Sequence, residues 1–475
     1  MRATRVLFLT AAAAAALSAA SLKITGGAVD DQVFQRGADS RADIRLTGAA
    51  DAGSAVEARI LRKHLVVAGF DWAPAGSVSG GKFEAVLQGV PAGGPYRIEL
   101  RVPSTDASAA VSGILVGDLW VLAGQSNMEG VGDLIATEAP QELVHNFDIS
   151  DHWAIAEDPL HSLPAAVDRV HWPRAQGREP ERYEGERLQK WVANRKKGAG
   201  LGLPFAVEMV RATGVPVGLL SCAHGGTSMD QWDPALKDRG GDSLYGSMLR
   251  RVRAAGGKVK GTLWYQGESD ANPKAAPEFQ SKFERFVAAV REDFGQPEMP
   301  FYYVQIGRHV ATNVAEWNVV QEMQRLAEKT IPNSGMVAAI DVELDDGIHV
   351  STQDQKLIGK RLANLALART KPGPRPVSAT FSNGVVRVAF SDVNGGLKSA
   401  GRISGFSIHA GQGEPLPLIY KARVDPADPS AVLLSIGGKL PEGAVLRYGY
   451  GKDPYCNLRD QAEMGVPVFG PMAIQ

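Results

Sequence analysis

Leu119-Trp120-Val121-Leu122-Ala123-Gly124-Gln125-Ser126-Asn127-Met128 is the stretch that decides the fold. Residues 119–122 form a continuous apolar run that is short and lacks polar alternation, as expected of a strand covered on both faces. Similar runs occur at 215–220, 259–265, 301–306 and 336–340. Helical spacing separates them. Phe279, Phe283, Phe286, Val287, Val290 and Phe294 share one face up to Gly295, Leu244, Met248 and Val252 mark a second helix, and Val314, Trp317, Val320 and Leu326 a third. A last helix is expected after Ser351, with Asp354 in the capping-box position and Leu357, Ile358, Leu362 and Leu365 turned inward. Buried strands alternating with amphipathic helices predict an α/β domain over 113–370, its parallel sheet covered on both faces and its ligands bound at the carboxyl ends of the strands.

Outward from this core the rhythm changes. Ile44 and Leu46, Val56 and Ile60, Phe83 and Leu87, then Tyr96, Ile98, Leu100 and Val102 follow a period of two. Turns such as Val90-Pro91-Ala92-Gly93-Gly94-Pro95 separate them, so an antiparallel β-sandwich is expected over 21–112. Lys371-Pro372-Gly373-Pro374-Arg375-Pro376 reads as a linker, followed by a second β-sandwich-like domain to residue 475. Residues 131–200 fit neither pattern and read as an insertion over the strand ends or as a solvated surface excursion.

Arg2 and Arg5 precede an apolar segment too short to span a bilayer, and Ser18-Ala19-Ala20 offers a small-residue cleavage site. Residues 1–20 are therefore read as a cleaved signal peptide, and the mature chain as periplasmic or extracellular. No later apolar run approaches the roughly 20 residues of a membrane span, so no membrane insertion is expected. A chain of 475 residues, 44% hydrophobic and 22% charged, can bury a large core and is neither disordered nor fibrous. Its 51 basic and 52 acidic side chains provide no overall field for a polyanion, which disfavours nucleic acid as a partner. Cys222 and Cys456 make no disulfide scaffold, and whether they pair is left open.

Three loops after expected strands carry the residue types needed for acyl transfer: Gly124-Gln125-Ser126-Asn127-Met128, His224-Gly225-Gly226-Thr227 and Gln266-Gly267-Glu268-Ser269-Asp270. A fourth, Asp346-Gly347-Ile348-His349, precedes the last helix. Serine becomes a nucleophile when a base takes its proton, a third group orients that base, and donors await the oxyanion. A carboxylate three residues before a histidine can fold beneath Nδ1 and leave Nε2 to face Ser126. That spacing favours Asp346 over Asp345.

Together these blocks, with Trp264-Tyr265 before the third, resemble the sialate O-acetylesterase-like carbohydrate esterases of the SGNH hydrolase superfamily across roughly residues 116–368. Val116-Gly117-Asp118-Leu119-Trp120 and Tyr455-Cys456-Asn457-Leu458 resemble that family's flanks. The resemblance implies a three-layer α/β/α domain, Ser-His-Asp catalysis by Ser126, His349 and Asp346, no metal and no cofactor. An O-acetylated carbohydrate, sialate or hemicellulose such as xylan or xyloglucan, is the implied substrate. The superfamily's usual third-block asparagine is here Gln266 or a neighbour, so the oxyanion hole is assigned to Ser126, Gly225 and Gln266.

Each residue also has a plainer reading. Gly225 and Gly226 can serve as a tight turn alone, and Glu268 and Asp270 as polar scaffolding rather than a glycosidase pair. Trp232 and His224, with Glu268, are the candidates for substrate contact, set against ordinary packing roles. A non-catalytic carbohydrate-binding surface protein is the alternative from another class, and an intact Ser, His and Asp set argues against it.

Overall fold

The computed structural model describes residues 21–51, 53–176, 178–310 and 316–475. The expected signal peptide and Val314 lie outside the described residues. The chain packs as two compact units, one of residues 21–29, Asp43–Gly89 and Tyr96–Ser112, the other of Asp30–Ala42, Val90–Pro95 and Gly113–Gln475.

The first unit is built of antiparallel strands. Ala55–Arg62 pairs with Gly93–Val102, Ile60 opposite Ile98, and Ala73–Ser79 pairs with Lys82–Pro91. Burial alternates along them, so Val56, Ala58 and Ile60 face inward with Ile98, Leu100 and Val102. One buried face per strand is what a period of two dictates.

The second unit contains a mixed sheet with helices, an α/β arrangement. Its strands lie in the order Ser334–Ala338, Phe301–Gln305, Gly261–Tyr265, Ala107–Gly124, Val217–Ser221, Val144–Phe147 and Trp153–Ile155. Every neighbouring pair is parallel except the last, which is antiparallel. Gly261–Tyr265 and Val217–Ser221 are buried at every position, which accounts for their unbroken apolar sequences. Helix Phe279–Asp293 turns Phe279, Phe283, Phe286, Val287 and Val290 inward, and Trp317–Ala327 buries Trp317 and Val320. Thr352–Ala366 starts where the capping signal places it, with the Asp354 N–H donating to Ser351 Oγ at 3.2 Å.

Two readings need correction. Val144–Phe147, inside the 131–200 region, joins the sheet beside Val217–Ser221, so this region is more than a cover or a surface excursion. A strand, Arg375–Ser382, begins within the expected linker, anchored by Arg375 on Glu328 at 2.6 Å and on the Met336 carbonyl at 2.7 Å. Beyond it, antiparallel strands Arg375–Ser382, Val385–Ser391, Asp428–Ile436 and Ile419–Asp425 form one sheet. Pro415–Leu416, Phe406–Ala410, Ala444–Tyr448 and Phe469–Ala473 form another, and Val386, Val388, Leu434, Ile408, Leu446 and Phe469 share one core.

Asp341, just past Ser334–Ala338, is enclosed and held by Arg361 at 2.6 Å and by Arg459. Against burial, which raises it, the two guanidinium groups keep this carboxyl below its ordinary range. Cys222 and Cys456 are both free and buried. No helix among the described residues is long and apolar enough to cross a membrane.

Candidate active site

Four loops meet at the carboxyl ends of the central strands. The first leaves its strand through Gly124, whose φ of 132° and close approach to Tyr265 exclude a side chain: a Cβ there would lie 2.2 Å from the Tyr265 carbonyl oxygen. The Gln125 N–H donates to that carbonyl at 2.8 Å, and Gln125 Oε1 accepts from the Ser269 N–H at 3.2 Å. Ser126 then opens a single helical turn, Ser126–Glu129, and is partly exposed.

Its neighbour Asn127 is buried and ties three loops together. Nδ2 donates to Glu268 Oε1 at 2.9 Å and reaches the Ile348 carbonyl at 3.5 Å, while Oδ1 accepts from the Val350 N–H at 3.0 Å. The residues on either side of His349 are thus fastened to the residue beside Ser126.

His349 Nδ1 lies 2.8 and 2.9 Å from the two carboxylate oxygens of Asp346. With a carboxylate accepting there, Nδ1 carries the proton and Nε2 is left with the lone pair. Asp346 also accepts the N–H groups of His349 at 2.9 Å and Ile348 at 3.0 Å, and it receives Lys197 Nζ at 2.8 Å. Partial burial works against ionisation, yet Lys197 and the His349 ring hold Asp346 well below the usual carboxylate range. Asp345 faces elsewhere. Its Oδ2 accepts from the Asp133 N–H at 2.8 Å and the Thr352 N–H at 3.0 Å.

The glycine loop lies against the serine loop, with the His224 N–H donating to the Gly124 carbonyl at 3.0 Å. A Cβ on Gly225 would sit 3.4 Å from Ser126 Cβ. The expected oxyanion donors are nevertheless committed differently. Gly225 donates its N–H to Glu129 Oε2 at 2.8 Å. Burial, opposed by that hydrogen bond, pushes the Glu129 carboxyl up to about 7.

Gln266 is fully buried and spends Nε2 on the Thr227 carbonyl at 3.1 Å and on Asp270. It braces two loops instead of reaching an oxyanion, which corrects its assignment. Asp270, raised by burial, also accepts from the Met229 N–H at 3.0 Å. Glu268 is likewise pushed up to about 7 by burial, with Oε1 on Asn127, and so belongs to the scaffold under the site.

Trp232 is also corrected. Its side chain is 0% exposed, packs edge-on to Trp264 with centroids 5.3 Å apart, and donates Nε1–H to Thr227 Oγ1 at 3.0 Å. A ring enclosed in this way cannot stack on a sugar. His224 remains partly exposed and contacts His171, their Nδ1 atoms 3.0 Å apart. Burial lowers it to about 4, so it is neutral at physiological pH. Glu129 and Lys197 are the residues missed by reading the sequence. Glu129 follows the serine block directly, whereas Lys197 carries no local signal for its contact with Asp346.

A family model described as carbohydrate esterase, sialic acid-specific acetylesterase, matches residues 116–368. A probable carbohydrate esterase of Arabidopsis thaliana is 28% identical over 274 residues, which is 56% of this chain and 96% of that relative. The sialate O-acetylesterase of Homo sapiens is 22% identical over 290 residues, 54% of each chain, so this chain spans about half of that protein. The crystal structure of a carbohydrate acetylesterase from Xanthomonas citri shares the fold, with a TM-score of 0.64 at 22% identity over 93% of this chain and 97% of the other.

Proposed function

We propose, on the premise that this chain belongs to the sialic acid-specific acetylesterase family of carbohydrate esterases and is thus a carboxylic ester hydrolase, that Ser126, His349 and Asp346 carry its reaction. Ser126 Oγ attacks the acetyl carbonyl carbon as His349 Nε2 takes its proton. The bond from that carbon to the sugar oxygen then breaks, and Nε2 returns the proton to the leaving sugar hydroxyl. Water repeats the sequence on the acetyl-enzyme and releases acetate. Asp346 fixes the tautomer and supports the imidazolium. The Ser126 N–H, at the open first turn of its helix, faces the oxyanion, and the Gly225 N–H joins it when Glu129 yields its hydrogen bond.

The observation that carries this reading is the hydrogen bond of His349 Nδ1 to Asp346, on a loop that Asn127 fastens beside Ser126. A three-layer SGNH-type domain is the frame proposed for it. Sialate esters are the proposed substrate and hemicellulose acetyl esters the second, acted on outside the cytoplasm after removal of residues 1–20. Ser126→Ala, folded by its unfolding midpoint, should lose about 10³-fold or more of its 4-nitrophenyl acetate hydrolysis. Wild-type rates from that variant would refute the mechanism. Parallel assays of 9-O-acetyl sialic acid and acetylated xylan identify the sugar.

A further inference from the structure

A cavity of about 640 Å³ has walls that include Glu129, the last residue of the turn that Ser126 opens, together with Leu163, Pro164, Trp172, Trp191 and His224. Glu129 and His224 connect it to the chemistry, since the first holds the Gly225 N–H and the second precedes Gly225 in the chain. Apart from Asp242, the other walls come from the 131–200 region. Trp172 and Trp191 are each partly exposed, and Arg195 stacks over the Trp191 ring at 4.8 Å. Indole faces and proline rings present flat apolar surface of the kind that meets the C–H face of a pyranose.

A polar group in the same wall has its orientation fixed by its neighbours. Asp168 is paired with Arg250 and accepts the Ser247 hydroxyl proton at 2.6 Å, so Ser247 Oγ can only accept from His171 Nε2, 3.2 Å away. His171 is buried and neutral, so its Nδ1 is a lone pair. The 3.0 Å contact between the two Nδ1 atoms therefore requires His224 to be the donor, and His224 Nε2 is left as a pure acceptor. Such a group accepts a hydroxyl proton and rejects another acceptor.

We propose that this cavity is the subsite for the sugar ring of the acetylated substrate, with Trp172 and Trp191 meeting the ring face and His224 Nε2 accepting from a ring hydroxyl. The inference rests on the esterase reading above for the identity of its ligand class. Arg169 is committed to Glu179 at 2.6 Å and faces Asp242 at 3.8 Å, while Arg174 lines the same wall without an ion pair among the described residues, so the ring face is the shared element of recognition and a sugar carboxylate would add a contact at Arg174.

The test is calorimetric titration of the Ser126→Ala protein, which binds without turnover, with O-acetylated xylo-oligosaccharide and separately with 9-O-acetyl sialic acid. At least one should bind, and adding Trp191→Ala, Trp172→Ala or His224→Phe should raise its Kd by about tenfold or more. Trp172→Phe covers the case in which Trp172→Ala does not fold, because it keeps a ring face while losing the hydrogen bond to the Ala166 carbonyl. It should bind within about threefold of the parent. A stronger response to the sialic acid would mean that charge adds to ring recognition.

Equal Kd across the set, or no binding of either sugar to the parent, overturns the subsite. Wild-type hydrolysis of 4-nitrophenyl acetate, which has no sugar, separates the two readings. Activity there with unaltered sugar binding removes the subsite and leaves the catalytic mechanism. Its absence, with sugar binding that depends on these residues, does the reverse.

Discussion

Replacing Asp346 by Asn tests the acid–base assignment most sharply, because the adjacent Asp345 provides a matched control. In Asp346→Asn the side-chain oxygen can still accept, but no charge faces the imidazolium formed during attack. Opposite unit charges 2.8 Å apart attract by about 6 kcal/mol at an effective dielectric near 20, and by about 1.5 kcal/mol in water. The Asp346 side chain is 35% exposed and already shares its charge with Lys197. An intermediate loss of about 3–4 kcal/mol is expected, which corresponds to about 10²–10³-fold in kcat/KM. Asparagine can also turn its amide N–H towards Nδ1 and so favour the wrong tautomer, which adds to the loss.

Asp345→Asn should behave differently. It weakens acceptance of the Asp133 and Thr352 N–H groups, so its effect should appear as a lower unfolding midpoint with kcat/KM reduced by less than about tenfold. The assay is 4-nitrophenyl acetate hydrolysis, with thermal unfolding of each variant as the control for folding. Near-wild-type activity in Asp346→Asn, or a larger catalytic loss in Asp345→Asn, would refute the reasoning.

Other outcomes follow from features around the site. Glu129 has an ordinary value of 4.5 raised to about 7, so the stability it contributes is complete below the lower value and lost as pH rises through the upper one. The stability of wild type relative to Glu129→Gln should therefore fall by up to about 3 kcal/mol between pH 5 and 8, and a pH-independent difference would show that the carboxyl is not shifted. Asp341→Asn leaves Arg361 and Arg459 facing a neutral group and should cost about 3–5 kcal/mol in denaturant unfolding, an expectation that a change below about 0.5 kcal/mol would contradict. An esterase for acetyl groups needs only a short acyl pocket, so longer acyl groups should react more slowly. At about 1 kcal/mol or more for each extra methylene, 4-nitrophenyl acetate should exceed the butyrate by about thirtyfold or more in kcat/KM, and equal rates would remove the short pocket.

The central strands were legible because burial on both faces leaves unbroken apolar runs, and the last helix because Ser351 and Asp354 carry its cap locally. Val144–Phe147 was not. Two of its residues are polar and made tolerable only by distant partners: His145 meets the Asp31 carbonyl at 2.6 Å, and Asn146 donates to the Leu160 carbonyl at 3.0 Å. Asp346 and His349 could be paired by spacing because their contact is local. Gln266 was misread for the opposite reason: Thr227, whose carbonyl it binds, lies 39 residues away in another loop. Trp232 bonds the same Thr227 within its own loop, and it was misread because nothing in the sequence distinguishes a buried indole from an exposed one. The contacts of Glu129 with Gly225 and of Lys197 with Asp346 likewise exist only once the sheet has brought separate loops together.

Lys197 also bears on how this enzyme diversifies. The segment 156–200, which walls the cavity and follows the sheet strands Val144–Phe147 and Trp153–Ile155, would otherwise be a cassette that evolution or an engineer could exchange to redirect substrate choice while leaving the chemistry intact. Its last strand, Lys197–Ala199, instead delivers an ammonium to the acid of the proposed triad. A graft that swaps the region without a cation at that position would change preference and weaken turnover together. Productive chimeras should therefore place their junctions after Ile155 and before Lys197.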